Sequence, residues 1–216
     1  MDQHPVRAVR PRLRGWLHLG ALPLVAATGI ALTVRAPAGR ARAAVVVFAI
    51  SAVLLFGVSA LYHRRQWGPR SFAVLQRFDH ANIFLIIAGT YTPFAVLLLP
   101  SGAARTLLWI VWGGAIGGVA FRVLWIGAPR WLYVPVYFAL GWVAVVYLPA
   151  FAAAGGAVLG FVLAGGLLYT VGGLVYGIRR PDPSPRWFGF HEVFHALTVL
   201  AFAAHCAGLA LAVTAS

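Results

Sequence analysis

The feature that most constrains this chain is a succession of seven continuous apolar blocks, at about 16–34, 43–63, 78–99, 106–125, 131–150, 157–178 and 190–213. A helix that crosses a bilayer needs roughly 20 mainly apolar residues, and each block meets that length. The blocks do not alternate polar with apolar residues, so they do not read as barrel strands. Composition closes off the soluble alternative. Apolar residues make up 62% of the 216 and charged residues only 10%, against about 25% charged in a soluble domain. The sequence therefore predicts an all-α polytopic membrane protein. An Arg-rich tail at 1–15 precedes a seven-helix transmembrane bundle at 16–213. The first block has four Arg before it and Ala36-Pro37-Ala38 after it, as a signal peptide would. Its apolar stretch is long for that role and more spans follow, so it reads as a membrane helix.

All 17 basic residues are Arg, and the formal charge is +13. They lie between apolar blocks, without the aromatic-basic stripe of a nucleic-acid surface, and no nucleic-acid partner is expected. Their distribution orients the bundle. Arg7, Arg10, Arg12, Arg14, Arg64, Arg65, Arg70, Arg77, Arg122, Arg130, Arg179, Arg180 and Arg186 fall on one side, against Arg35, Arg40, Arg42 and Arg105 on the other. The positive-inside rule then puts the N-terminus in the cytoplasm and the C-terminus outside. A multi-pass protein of the plasma membrane is the expected setting. Arginine without lysine suggests a high-GC bacterial genome.

Orientation brings distant polar residues to one depth. The second block ends at His63, the third begins at Asp79, and the seventh begins with His191, Glu192 and His195. All five belong to the cytoplasmic layer. Ionisable groups at that depth are costly and need a partner or a function. His191 and His195 stand at i and i+4, one helical turn apart on one face, and can share one metal ion. The string His191-Glu192-Val193-Phe194-His195 also fits H-E-x-x-H. Adding His63 gives three histidines, and a fourth position open to water is the arrangement of a catalytic zinc site. Zinc there would lower the pKa of its water to about 7. Asp79 would hold or deprotonate that water or orient a histidine, and Ser59, one turn from His63, would bond the water or a substrate carbonyl.

Other polar residues have plainer readings. His4, His18 and His80 are expected as interface anchors, and Asp79 and Glu192 can also cap their helices. Ser59 can be an interhelical hydrogen-bonder. His205 shares the His191 face but lies roughly 21 Å further along the helix, too far to share the metal. It is expected to pair with a polar group in the bundle. The glycine pairs 113–114, 117–118, 165–166 and 172–173 suggest close helix packing, and Pro93, Pro135 and Pro149 suggest kinks. Thr90, Tyr91 and Thr92 are expected to satisfy the turn broken at Pro93, with Thr90 facing a cavity. Cys206 has no second cysteine to pair with.

These residues resemble a known family. Ser59-Ala60-Leu61-Tyr62-His63 is similar to its S-x-x-x-H motif. Asp79-His80, followed by Ile83-Phe84 and Ala88-Gly89-Thr90-Tyr91-Thr92-Pro93, is similar to its third-helix signature. His191 to His195 is similar to its H-x-x-x-H motif. Together they resemble the progestin and adipoQ receptor (PAQR) superfamily, in its bacterial hemolysin III branch, over nearly the whole chain. The resemblance implies a seven-helix fold with a cytoplasmic N-terminus. It implies a zinc ion near that face on His63, His191 and His195, with Asp79 near its water and Ser59 nearby. Eukaryotic members are linked to ceramide hydrolysis, and bacterial members to a hemolysin label and membrane-fluidity homeostasis. One departure is the stretch Arg12-Leu13-Arg14-Gly15-Trp16-Leu17-His18, which stands where many bacterial members carry acidic and Asn residues. No long N-terminal domain is present to suggest a protein-hormone receptor.

Three functions are compatible with this sequence. The first is a ceramidase-like zinc hydrolase of a lipid amide or ester, with Asp79 and Ser59 catalytic, acting on a sphingolipid-like or fatty-acyl membrane lipid. The second is a non-enzymatic membrane-homeostasis or cytolytic protein with a structural zinc. The third is an intramembrane metalloprotease with Glu192 as base.

Overall fold

The structure is a computed structural model and describes residues 11–215. Readings that concern residues 1–10, among them His4, Arg7 and Arg10, lie outside the described residues. The helices are α1 (Trp16–Arg35), α2 (Arg40–Arg64), α3 (Pro69–Leu98), α4 (Ser101–Leu124), α5 (Arg130–Gly141), α6 (Leu148–Ala153), α7 (Gly156–Ile178) and α8 (Phe190–Ala215). A 3₁₀ turn, Val143–Tyr147, joins α5 to α6, and the three pieces form one crossing from Arg130 to Ala153. Among the described residues, seven segments are thus long and apolar enough to span a membrane. Among the described residues there is no strand, only an isolated bridge between Ser184 and Phe188. Large apolar side chains such as Leu124 and Trp109 lie 84% and 76% exposed. In lipid, that outer surface needs no polar cover.

Consecutive helices α1 to α4 pack side by side, α7 packs on α8, and α1 also meets α8, which closes the bundle. Its centre is aromatic. Phe202 of α8 stacks on Phe48 at 5.3 Å and meets Phe56 edge-on at 5.3 Å, both from α2. Lipid tails are as apolar as these rings, so tight packing rather than exclusion of water holds the helices together. Glycines of three pairs provide close approaches: Gly114 against Leu140, Gly118 against Phe84 and Gly173 against Phe138.

Helix α3 starts at Pro69, well before the apolar block at 78. Proline is at home in a first turn because its missing N–H has no helical partner there. The polar residues after it stay helical. Arg77 donates to Ala73 O at 2.9 Å and to Val123 O at 3.0 Å, tying α3 to the end of α4. Apolarity marks the membrane, whereas the helix runs on beyond it. Asp79 therefore stands in the third turn of α3 and does not cap it, contrary to that expectation.

The fifth crossing runs on through Pro135 and breaks after Gly141, just ahead of Pro149. Pro149 has no N–H to give the carbonyl four residues back. The tyrosine of the Thr-Tyr-Thr run compensates from α3: the Tyr91 hydroxyl donates to Gly141 O at 2.5 Å and accepts from Ala144 N at 2.9 Å. Thr92 bonds Ala88 O at 2.8 Å and accepts from Trp112 Nε1 at 3.1 Å.

Candidate metal centre

His63 is the penultimate residue of α2, and His191 and His195 occupy the first two turns of α8. Their Nε2 or Nδ1 atoms all lie within 4.8 Å of one another. The Nε2 atoms of His63 and His191 are 3.2 Å apart. Two nitrogens bound tetrahedrally to one zinc at 2.0–2.1 Å would be about 3.3 Å apart. His63 and His195 are 8% and 2% exposed. Three imidazoles converging in a buried site are a donor set that can hold a metal ion.

Asp79 faces this cluster from α3. Its Oδ2 lies 3.7 Å from His63 Nε2, and its side chain is 15% exposed. Ser59, one turn before His63 and buried, is within hydrogen-bonding reach of the Asp79 carboxylate. The structure thus brings His63, His191, His195, Asp79 and Ser59 to one end of the bundle.

Glu192 is not part of that cluster. It is 1% exposed, forms an ion pair with Arg14, and accepts the Gly189 N–H at 2.9 Å. Both carboxylate oxygens are engaged at the start of α8, as the capping reading expects. The same segment before α1 covers the site. Arg12 N and Leu13 N donate to Arg186 O and Trp187 O at 2.9 and 3.2 Å. Gly15, at φ 80°, lies where a Cβ would come 2.8 Å from His63 Cβ. A left-handed backbone pressed against the Cβ of a cluster histidine favours glycine at this position.

His18 is not an interface anchor. It is 2% exposed, and its ring lies flat on His195, with centroids 3.8 Å apart and planes 5° from parallel. His80 also turns inward: its Nδ1 lies 2.7 Å from Gln76 O and its Nε2 3.5 Å from the Tyr176 hydroxyl. Neither placement had a signal in the sequence, because a membrane helix is apolar all round and does not reveal which face is inward.

The cluster forms one end of a cavity of about 390 Å³. The cavity extends along α3, α7 and α8, past Thr90 as expected, to His205 and Tyr169. Between its ends the walls are mainly aliphatic and aromatic, including Ile83, Ile87, Phe94, Val134, Leu148 and Phe151. Trp142 and Val145, at the break in the fifth crossing, line it and are 36% and 46% exposed.

Seven membrane-crossing helices with three converging histidines and a facing carboxylate at one end define a class: a multi-pass helical membrane protein with a buried site able to hold a metal. The sequence matches the family described as Haemolysin-III related over residues 6–206. The chain belongs to that family, a branch of the PAQR superfamily. It is 34% identical over 146 residues to the "Hemolysin-3 homolog" of Bacillus subtilis (strain 168), covering 67% of this chain and 68% of that protein. It is also 34% identical over 131 residues to "Hemolysin-3" of Bacillus cereus, covering 60% of this chain and 59% of that one.

Proposed function

We propose that the protein is a zinc-dependent hydrolase that cleaves an amide or ester bond of a membrane lipid, with the metal end of the bundle facing the cytoplasm of a bacterial cell. The observation that carries this reading is the position of Asp79. Its carboxylate faces three metal-capable histidines at the end of an otherwise mainly apolar cavity. Three histidines fit zinc, which when bound would supply a Lewis acid and water that ionises near pH 7.

This chain's residues would do the rest. Asp79 accepts the proton of the attacking water and passes it to the leaving amine or alcohol. Ser59 holds the Asp79 carboxylate toward the cluster. The cavity takes the acyl chain and keeps bulk water from the reacting bond. The chain enters sideways at the break in the fifth crossing, past Trp142 and Val145. Substrates of this chemistry are sphingolipid-like amides and fatty-acyl esters, and their turnover would contribute to membrane homeostasis. Neither nucleic acid nor a protein hormone is a partner in this reading.

The test is hydrolysis of ceramide-type amides and fatty-acyl esters by the zinc-loaded protein in nanodiscs. Loss of a general base lowers turnover by roughly 10² to 10⁴. D79N should fall that far while keeping its zinc. Equal rates for wild type and D79N, or no hydrolysis by either, would overturn the reading.

A second reading has one specific observation in its favour. Asp79 Oδ2 is close enough to His63 Nε2, at 3.7 Å, to become a fourth ligand after a small side-chain shift. Four protein ligands would close the site and make the metal structural. The protein would then be a non-enzymatic membrane-homeostasis or cytolytic protein, in keeping with the hemolysin names of its relatives. A metalloprotease using Glu192 as base has no such support, since Arg14 and Gly189 occupy that carboxylate.

A further inference from the structure

The far end of the cavity holds two polar groups that the chemistry at the metal centre does not use. His205 of α8 is 8% exposed, and its Nε2 lies 3.3 Å from Val162 O of α7. A carbonyl only accepts, so Nε2 carries the proton and Nδ1 is left as an acceptor. That Nδ1 is buried and has no partner among the described residues. The Tyr169 hydroxyl of α7 is likewise buried without a partner. The two rings are 5.7 Å apart, and both residues line the cavity. A buried polar atom without a hydrogen-bond partner costs free energy, so two of them on residues that line one cavity need an explanation.

Their chemistry is complementary to a particular group. His205 Nδ1 accepts a hydrogen bond, and the Tyr169 hydroxyl can donate one. A ligand hydroxyl can satisfy both, giving its proton to His205 and accepting from Tyr169. A methylene satisfies neither, and a carbonyl satisfies Tyr169 alone. His205 lies ten residues beyond His195, which places this pair roughly 15 Å from the metal-binding turn along the helix axis. The wall between them is mainly apolar, with Thr90 and Thr198 the hydroxyl-bearing exceptions on α3 and α8.

We propose that Tyr169 and His205 form a second subsite, which recognises a hydroxyl group carried partway along the acyl chain of the lipid whose head lies at the metal end. This deepens the lipid-hydrolase reading and rests on the acyl chain occupying the cavity. It names the substrate class as lipids with a hydroxylated acyl chain, selected both for having the hydroxyl and for its distance from the carbonyl. Gly165 belongs to the same device. A Cβ there would run into the His205 ring, so glycine is what lets that ring lie against α7 beside Val162 O.

The experiment is binding rather than turnover. Purified protein in detergent is titrated with free fatty acids of one length, unsubstituted or with the hydroxyl moved carbon by carbon, and affinities are taken by calorimetry. Two hydrogen bonds to an otherwise unpaired site should favour one hydroxyl position by roughly ten-fold over the unsubstituted chain. In Y169F and in H205F that ratio should fall toward one. Thermal melting identifies any variant that has failed to fold. Y169F is the more secure of the two, because it removes only an oxygen that has no hydrogen-bond partner among the described residues. Binding without preference for any position, or a preference that survives in well-folded Y169F, overturns the subsite alone. Failure of every fatty acid to bind overturns the subsite together with the placement of the acyl chain in the cavity.

Discussion

The imidazole of His18 lies face to face with that of His195, 3.8 Å away and within 5° of parallel. Neither nitrogen of His18 has a hydrogen-bond partner among the described residues. Its contribution is therefore ring contact, flat on His195 and edge-on with Phe56 at 4.8 Å. The effect is to fix the plane of His195 from the first helix, so α1, α2, α3 and α8 all shape the metal centre.

Because the contact is steric, its shape should matter more than its nitrogens. H18A should weaken zinc binding by roughly ten-fold, at the lower end of what outer-shell substitutions cost. H18F, which keeps a flat ring, should stay within a few-fold of wild type. Chelator competition measures both. Equal losses in the two variants would mean that His18 acts through a nitrogen instead.

Metal content should separate the ligands from the residue that faces them. Protein purified without chelators should carry about one zinc per chain by mass spectrometry. H63A and H191A should lose it, because each removes one of three donors within 4.8 Å. D79A should keep it if Asp79 acts on water, and lose it if Asp79 is a fourth ligand.

The pair between Arg14 and Glu192 should show in stability rather than in chemistry. Glu192 is almost wholly buried, and removing Arg14 would leave its carboxylate uncompensated. Breaking a buried pair costs about 3–5 kcal/mol. R14A should therefore unfold at a clearly lower temperature in detergent, and E192Q by a smaller step, since an amide can still accept from Gly189. A loss of hydrolysis in E192Q as deep as that in D79N, with the melting temperature maintained, would revive the protease reading.

Much of this was legible in the sequence, for a physical reason. Crossing a bilayer demands long apolar runs, so the seven spans could be read directly from the chain. Alternation of sides then placed His63, Asp79 and His191 at one depth without any knowledge of packing. What could not be read was rotation about each helix axis. His18 and His80 were expected at the interface and turned inward, because a helix solvated by lipid carries no polar face to mark its outside. The Asp79 cap failed differently: polarity ended the apolar block at 78, while the helix continued back to Pro69. The break in the fifth crossing could be suspected from Pro135 and Pro149. Its repair by Tyr91, from another helix, could not.

Rotation also decides which member of a glycine pair carries the packing, and Gly165-Gly166 makes that testable. A Cβ on Gly165 would come within 2.3 Å of the His205 ring, whereas one on Gly166 meets nothing within 4 Å. For the His205 ring to yield it would have to give up its bond to Val162 O. Overpacking of this kind costs typically about 1–3 kcal/mol, so G165A should lower the melting temperature. G166A meets no such obstacle and removes a flexible residue from a helix interior, a change worth roughly 0.5–1 kcal/mol in its favour. The two neighbours should therefore move thermal stability in opposite directions in detergent. If both variants raise it, His205 does not sit against the α7 backbone, and the subsite it forms with Tyr169 loses its support.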